Sequence, residues 1–179
     1  MSRTPPLPLL LAALAASQFA TPAQAETSAE FTVSAAIAAG CLIDGFGSSG
    51  NAGSLGALDF GTDSAFSTAT HNASFLAAQT IRLRCTPGVN LTMAIDGGSH
   101  AAAGSRNLQL GGNSALRLAY SLCADAACSQ PLAISSGRVI PVSSTNSNDV
   151  KLPIYGRLTL PGQANAGTYT DTLTVTLTW

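Results

Sequence analysis

The sequence contains little charge. Only 9% of its 179 residues are Asp, Glu, Lys or Arg, and the 8 basic and 9 acidic residues nearly cancel. The basic residues are scattered, and no basic stripe is present that could face a phosphate backbone, so we expect no nucleic-acid partner. A surface of Ser, Thr, Asn and Gly offers little electrostatic repulsion against self-association. The composition therefore weakly favours a protein that forms polymers.

Residues typical of catalytic and metal sites are also scarce. The two histidines, His71 and His100, stand at no recognisable spacing from any pair of cysteines. No serine lies in a nucleophile elbow, and Asp96-Gly97-Gly98 lacks the spaced oxygen ligands of a calcium loop, so a plain turn is expected there. We predict no enzyme activity, no metal and no cofactor. A hydrolase site assembled from distant residues is the alternative.

A long apolar run occurs only near the N-terminus. The run Leu7–Ala16 is too short to span a bilayer, follows the basic Arg3, and precedes the small-x-small sequence Ala23-Gln24-Ala25. These features predict a signal peptide over residues 1–25, removed on export; a buried N-terminal helix is the alternative. No later segment is apolar enough to predict a membrane span.

Four cysteines behind a signal peptide indicate disulfides, and a metal site is the less favoured interpretation. Four cysteines allow three pairings. Cys123 and Cys128 bracket a short connection between apolar stretches, so we predict a disulfide across the base of a hairpin. Cys41 and Cys85 then remain for a bridge between distant parts of the chain.

Alternation with a period of two residues is the dominant pattern, and the C-terminal segment shows it most clearly. One face carries the apolar residues Leu173, Val175, Leu177 and Trp179. The other face carries Thr172, Thr174, Thr176 and Thr178. This is typical of a half-buried antiparallel strand, because helical spacing would scatter the apolar residues around the circumference.

Shorter strands separated by Gly- and Pro-rich turns are predicted along the rest of the chain. They cover Thr80–Cys85, Asn90–Ile95, Leu116–Leu122 and Val150–Leu160. Pro153 predicts a bulge or a late start for the last of these, and the Gly- and Ser-rich segment Ile43–Leu55 predicts a mobile loop. Many short strands without a convincing amphipathic helix predict an all-β sandwich.

A further alternating segment follows the predicted cleavage site. Phe31, Val33, Ala35 and Ile37 alternate with smaller or polar residues before the chain reaches Cys41. From alternation alone, the favoured interpretation is the first strand of the chain's own domain. The alternative is a free strand that is donated to another molecule.

Several motifs occur in a characteristic order along almost the whole predicted mature chain. They are an alternating strand before Cys41, Leu58-Asp59-Phe60-Gly61, Cys85-Thr86, Ala94-Ile95-Asp96-Gly97-Gly98, Tyr155-Gly156-Arg157 and Gly167-Thr168-Tyr169-Thr170-Asp171-Thr172. In this order they resemble the spore coat protein U domain family, which includes the Csu-type pilins of the archaic chaperone–usher pathway. No single motif is decisive, but the set is specific.

The resemblance implies an incomplete immunoglobulin-like β-sandwich over residues 40–179, with a groove where the last strand is missing. It implies that residues 26–39 form a donor strand whose Phe31, Val33, Ala35 and Ile37 fill the groove of a neighbouring subunit. Leu173, Val175, Leu177 and Trp179 would then line one side of the acceptor groove and contact a chaperone. The bridging disulfide of the family corresponds to Cys41 with Cys85.

The resemblance also implies the partners and the location. These are a periplasmic pilus chaperone, an outer-membrane usher and neighbouring pilin subunits in a pilus at the cell surface, supporting attachment and biofilm formation. The alternatives are a minor adaptor or adhesin subunit, or a spore or cell-surface coat protein with the same fold. Cys123 and Cys128 depart from the commonest family pattern, which limits how closely partner contacts can be transferred.

Overall fold

The computed structural model describes residues 30–77 and 82–179. The predicted signal peptide and the first two residues of the predicted strand Thr80–Cys85 lie outside the described residues. The chain divides into two units after Ala36. Of the first unit, the structure describes residues 30–36, which contain no strand. The second unit, Ile37–Trp179, contains all of the strands described below.

The described residues form β-strands and turns and contain no α-helix. The strands in chain order are β1 (Cys41–Ile43), β2 (Gly56–Ala57), β3 (Thr70–Ser74), β4 (Leu76–Ala77), β5 (Leu83–Cys85), β6 (Asn90–Ile95), β7 (Arg106–Leu110), β8 (Arg117–Cys123), β9 (Arg138–Pro141), β10 (Tyr155–Thr159), β11 (Tyr169–Thr170) and β12 (Val175–Thr178).

All neighbouring strands pair antiparallel. The larger sheet has five strands in the order β11-β7-β8-β10-β3, and the smaller sheet has three in the order β12-β6-β9. Two short pairs, β1-β5 and β2-β4, complete the ladders. In β1-β5, Cys41 lies directly opposite Cys85, and the two are joined by a disulfide.

The core lies between the two sheets. Along β6, Leu91, Met93 and Ile95 are buried and alternate with more exposed residues. From the five-stranded sheet, Tyr120 and Leu122 of β8 belong to the same buried cluster. One apolar face of each sheet therefore packs against the other, which confirms the predicted all-β, sandwich-like fold.

Three of the strands that the sequence did not predict, β3, β7 and β9, lack a clear alternation of apolar and polar residues. In β7, Arg106 and Asn107 are both buried although they are polar, and β3 and β9 carry no long apolar alternation. The predicted strand Asn90–Ile95 has the bounds of β6. The strand predicted from Val150 begins only at Tyr155, after Pro153, whose nitrogen has no hydrogen to donate to a ladder.

Candidate functional site

An open apolar groove runs beside the C-terminal strand. It has a volume of about 1310 Å³ and lies between residues 171–179 on one side and residues 46–58 on the other. Its floor is formed by core side chains of both sheets, including Ile95, Leu108, Tyr120, Leu122 and Ile154. Of these floor residues, Leu108 is partly buried and the other four are buried, so the groove reaches the core without exposing it.

Strand β12 forms one wall of the groove. On its inner edge, Val175 pairs with Ile95 and Leu177 with Met93 of β6. On its outer edge, no strand in the described part of the chain pairs with it. Leu173, Val175 and Leu177 are only half-buried, and they alternate with exposed threonines as the sequence predicts. The wall thus combines a row of apolar side chains with backbone groups free to form a ladder.

The motif residues Leu58 and Phe60 fill the floor between the sheets. A Cβ atom on Gly156 would lie 2.9 Å from Cδ2 of Leu58 and 2.8 Å from Cζ of Phe60. The Phe60 ring also meets the ring of Tyr120 edge to face, with centroids 5.9 Å apart. Two motifs separated by almost a hundred residues, Leu58-Asp59-Phe60-Gly61 and Tyr155-Gly156-Arg157, are therefore in direct contact below the groove.

A second cavity of about 470 Å³ shares part of the groove's lining near Leu177. Both are lined by Ile43, Phe75, Ile154 and Leu177, and the smaller cavity is also lined by Leu83 and Val150. The groove and the second cavity therefore adjoin each other beside Leu177.

A buried polar network holds the residues that precede β12. Asp171, whose side chain is 2% exposed, accepts a hydrogen bond of 2.8 Å from the Tyr120 hydroxyl through Oδ2. Its Oδ1 accepts hydrogen bonds from the backbone N–H groups of His100 and Thr172. Nδ1 of His100 lies 3.2 Å from the same oxygen, but it forms no hydrogen bond. Burial, together with the Asp171 hydrogen bond, raises the pKa of Tyr120 well above its ordinary value.

The turn after β6 adds further bonds to the same network. Oδ1 of Asp96 accepts hydrogen bonds from the N–H groups of Gly98 (3.0 Å) and Thr174 (2.9 Å). The N–H groups of Asp96 and Ser99 donate to the carbonyl oxygens of Thr174 and Thr172. Two aspartates in turn-like contexts thus tie the first half of the C-terminal segment to the end of β6.

Arg106 of β7 is buried at the same end of the domain. Its guanidinium donates hydrogen bonds to the carbonyl oxygens of Ile95 (2.9 Å), Asp96 (2.8 Å) and Leu132 (2.7 Å). Desolvation lowers the pKa of Arg106, and the negative charges of Asp96 and Asp171 oppose this shift. The positive charge is therefore offset by hydrogen bonds and by two nearby carboxylates.

The last residue lies at the other end of the groove. The Trp179 side chain lines the groove and is 41% exposed. A Cβ on Gly40 would lie 3.4 Å from Nε1 of its indole. Gly40 exchanges two hydrogen bonds with Thr86, next to the Cys41–Cys85 disulfide. The end of β12 is thereby packed against the start of the domain.

The predicted donor residues lie outside any strand. The exposed fractions of Phe31, Val33 and Ile37 are 86%, 80% and 91%, and Ala35 is also exposed. None of the strands in the described part of the chain includes these residues. Three large apolar side chains in one short exposed segment are unusual for a monomer.

The second disulfide, Cys123–Cys128, closes a short loop and does not line the groove. Within this loop Asp125 accepts hydrogen bonds from the backbone N–H groups of Ser129 and Gln130, and the first of these lowers its pKa most. Arg157 of β10 donates a hydrogen bond to the carbonyl oxygen of Ala127. The disulfide therefore stiffens a hairpin that is also tied to the five-stranded sheet.

A cluster of Ser67, His71 and Asp63 resembles a catalytic constellation only in composition. The Ser67 hydroxyl donates a hydrogen bond to Oδ2 of Asp63, and Nε2 of His71 lies 2.8 Å from the same oxygen. The hydrogen bond to Ser67 is the main cause of the lowered pKa of Asp63. Because the serine donates to the carboxylate and not to the imidazole, the histidine is not placed to activate it.

The described residues contain no group of three or more His, Cys, Asp or Glu side chains placed to hold a metal ion. Among the same residues, no helix has the length and apolar character needed to cross a membrane.

The profile of the Spore Coat Protein U domain family matches residues 27–176, and the chain belongs to this family. No curated protein sequence matches the chain. Among solved structures, the chain is similar to one described as "Chaperone-tip adhesin complex is vital for synergistic activation of CFA/I fimbriae biogenesis". The sequence identity is 15%, the TM-score is 0.35, and the match covers 62% of this chain and 33% of that chain. The chain thus spans about a third of that chain's length, and the likeness carries no argument about function.

Proposed function

We propose that this protein is a structural pilus subunit whose groove is completed by the N-terminal segment of another copy. The observation that carries this proposal is that the structure contains two apolar features, each without a partner. One is the open apolar groove along the outer edge of β12, and the other is the exposed alternating segment Phe31–Ile37. If this segment lay extended along β12 of another copy, its backbone would add a strand beside β12. Its alternate side chains would fill the groove of that copy.

The donor side chains differ in what they contribute. Phe31, Val33 and Ile37 would each contribute about 1.5–3 kcal/mol on burial, and Ala35 would contribute little. The short side chain of Ala35 suits a shallow part of the groove. The remaining stabilisation would come from the backbone hydrogen bonds and from covering the half-buried side chains of Leu173, Val175 and Leu177.

A subunit with an open groove is prone to aggregate before assembly. Family membership, together with this hazard, favours a periplasmic chaperone that covers the groove, followed by transfer at an outer-membrane usher. The assembled Csu-type pilus would lie at the cell surface, support attachment and biofilm formation, and have no enzymatic role. A coat protein that uses the same strand exchange is a second candidate, favoured by the description of the matched family.

The test compares substitutions on the two faces of the donor segment in the full mature chain. Phe31→Ser together with Ile37→Ser removes the groove-filling side chains, whereas Thr32→Ala together with Ser34→Ala changes the opposite face. After refolding with the disulfides intact, oligomers are measured by size exclusion and light scattering. We expect the unchanged chain and the second variant to form heat-resistant oligomers and the first variant to remain monomeric.

A stable monomeric wild-type chain would overturn the proposal. In that case, removal of residues 26–39 shows whether the segment is the chain's own first strand, since its loss would unfold the monomer. Oligomers that form equally well with Phe31→Ser and Ile37→Ser would show that association uses another surface.

A further inference from the structure

The outer face of the three-stranded sheet is built from short side chains. Leu91, Met93 and Ile95 of β6 are buried in the core, so the residues between them point outward. Their ladder partners on β12 and β9 lie on the same side of the sheet. The centre of this surface, called here the uncharged face, is formed by Thr92, Ala94, Val139, Thr174, Thr176 and Thr178.

Charged groups lie only at the margins of the uncharged face. Asp96 follows β6 at one end, where its Oδ1 accepts hydrogen bonds from two backbone N–H groups. Arg138 of β9 lies opposite Met93 and so belongs to the inward set of positions, and its guanidinium donates a hydrogen bond to Oε1 of Gln130. None of the outward positions on β6, β9 and β12 carries a charge.

The outer face of the five-stranded sheet is different. Arg157 of β10 and Arg117 of β8 point outward there, because they alternate with Leu158 and Leu118, which pack in the core. Two copies that met through this face would bring like charges together. The two outer faces of the domain therefore differ in how readily they can contact a second copy.

We infer that the uncharged face is a lateral contact surface, and that its partner is the same face of a second copy in a neighbouring polymer. The inference rests on the proposed function, because a polymer repeats the face at every subunit. Burying charged groups is costly, and this face has none to bury. Each threonine hydroxyl can both donate and accept, so two identical faces can satisfy each other's hydrogen bonds while their methyl groups pack together.

The size of the face explains why this contact needs a polymer. Three strands about 4.8 Å apart and about five residues long present roughly 250 Å². A stable interface buries about 800 Å² on each partner, so two free subunits would not stay together through this face alone. In a polymer several faces act at once, and each contact that forms raises the effective concentration for the next.

The proposed donor segment would extend the same face. Its groove-filling residues alternate with Thr32, Ser34 and Ala36, which would point to the opposite side of the sheet. Because the donated strand would lie beside β12, these three residues would continue the row of outward threonines. They too are short and uncharged. Strand donation would therefore enlarge the face to roughly 330 Å², with four strands and no added charge.

The test places charge on each outer face of the full mature chain. Val139→Lys with Thr176→Lys adds two positive charges per subunit to the uncharged face. Ala119→Lys with Ser121→Lys adds the same charge to the outer face of the five-stranded sheet. All four residues are exposed, so neither pair of substitutions disturbs the core. Light scattering confirms that each chain polymerises, and electron microscopy with low-speed sedimentation then measures bundling at about 10 mM and about 1 M salt.

We expect polymers of the unchanged chain and of the Ala119→Lys, Ser121→Lys variant to form side-by-side bundles at both salt concentrations. Polymers of the Val139→Lys, Thr176→Lys variant should lose the sedimenting fraction at low salt and remain single. They should bundle again at high salt, because the Debye length falls from about 30 Å at 0.01 M to about 3 Å at 1 M and screens the opposed lysines.

Single polymers of the unchanged chain would overturn the inference, as would equal bundling or equal dispersal of the two lysine variants at low salt. Thr176 lies on β12 beside the groove, so if the first variant polymerises poorly, Val139→Lys alone is compared with Ala119→Lys alone. β9 lies at the opposite edge of the sheet from β12. An unchanged chain that does not polymerise rejects the proposed function and the inference with it, whereas dispersed polymers reject only the lateral contact and leave strand donation in place.

Discussion

The ring of Phe60 lies so close to the backbone of Gly156 that a methyl group on that glycine would come within 2.8 Å of Cζ. Gly156 is buried in β10 and has an ordinary strand conformation, so the requirement for glycine is one of space and not of backbone freedom. Leu58 reaches the same point from the other side. Because Gly156 has no side chain, β10 leaves space for Leu58 and Phe60 on the floor of the groove.

We therefore expect Gly156→Ala to lower the free energy of unfolding by about 1–3 kcal/mol, the usual range for overpacking a core. Urea denaturation followed by circular dichroism measures the change. Gly112→Ala is the matched control, because a Cβ there meets nothing within 4 Å. The control should change stability little, and an equally small effect at Gly156 would contradict the packing described here.

The two disulfides should differ in their contributions to stability. Cys41 and Cys85 are 44 residues apart, and Cys123 and Cys128 are 5 residues apart. In the loop-entropy model the longer loop corresponds to about 4 kcal/mol and the shorter one to about 2 kcal/mol.

We expect the double variant Cys41→Ala, Cys85→Ala to lose more stability than Cys123→Ala, Cys128→Ala, as measured by guanidinium unfolding of each. The β1-β5 ladder surrounds the first disulfide, so its loss should also weaken the contact between Gly40 and Trp179. If the Cys123→Ala, Cys128→Ala variant lost more free energy of unfolding, the disulfide would stabilise the hairpin and the hydrogen bonds of Asp125 by more than the loop length implies.

Much of the sandwich could be predicted from the sequence, because its clearest strands are half-buried. In the C-terminal segment and in β6, one residue in two faces the core, and this alternation is visible without a structure. The sequence did not predict β7, because its buried residue Arg106 is charged. The guanidinium is hydrogen-bonded to carbonyl oxygens, and a search for alternating apolar residues does not detect such a strand.

The groove was expected only from the family resemblance, and only its β12 wall was named. The opposite wall, residues 46–58, comes largely from a segment predicted to be a mobile loop, and composition alone does not place such a segment. The polar network was hidden for a similar reason. Asp96 and Asp171 occupy turn-like contexts, and only the fold shows that they bond the start of the C-terminal segment to the end of β6 and to Tyr120 of β8.

Tyr120 predicts a sensitivity to alkaline conditions. Burial and the Asp171 carboxylate raise its pKa in the folded protein above the ordinary value of 10.0. Because the folded pKa is raised, the neutral hydroxyl contributes stability that is fully present below pH 10 and is lost as the pH rises above that value. The unfolding free energy should therefore fall more steeply above about pH 10 in the unchanged chain than in Tyr120→Phe.

Denaturant unfolding across the alkaline range, with tyrosinate absorbance recorded in parallel, measures this difference. Tyr120 should ionise together with unfolding and not before it. Identical pH dependence of the unchanged chain and Tyr120→Phe would show that the hydroxyl is accessible to solvent in the folded state.

Arg106 should be the most costly arginine to replace. Its guanidinium satisfies the carbonyl oxygens of Ile95, Asp96 and Leu132, and its charge lies near the Asp171 carboxylate. Arg106→Leu would remove the guanidinium donors of three carbonyl oxygens, of which that of Ile95 keeps the N–H of Ser135, and would leave a buried carboxylate without a nearby positive charge. We expect a loss of about 3–5 kcal/mol in the free energy of unfolding, the range for breaking a buried charged network.

Arg106→Lys should recover only part of this loss, because an ammonium group cannot reproduce the planar arrangement of guanidinium donors. Arg84→Leu is the control: Arg84 pairs with Asp44 in an exposed position, where such a pair contributes about 0–1 kcal/mol. If Arg106→Lys were as stable as the unchanged chain, charge alone would account for the site. The separate hydrogen bonds to the three carbonyl oxygens would then be dispensable for holding β7 against the end of β6.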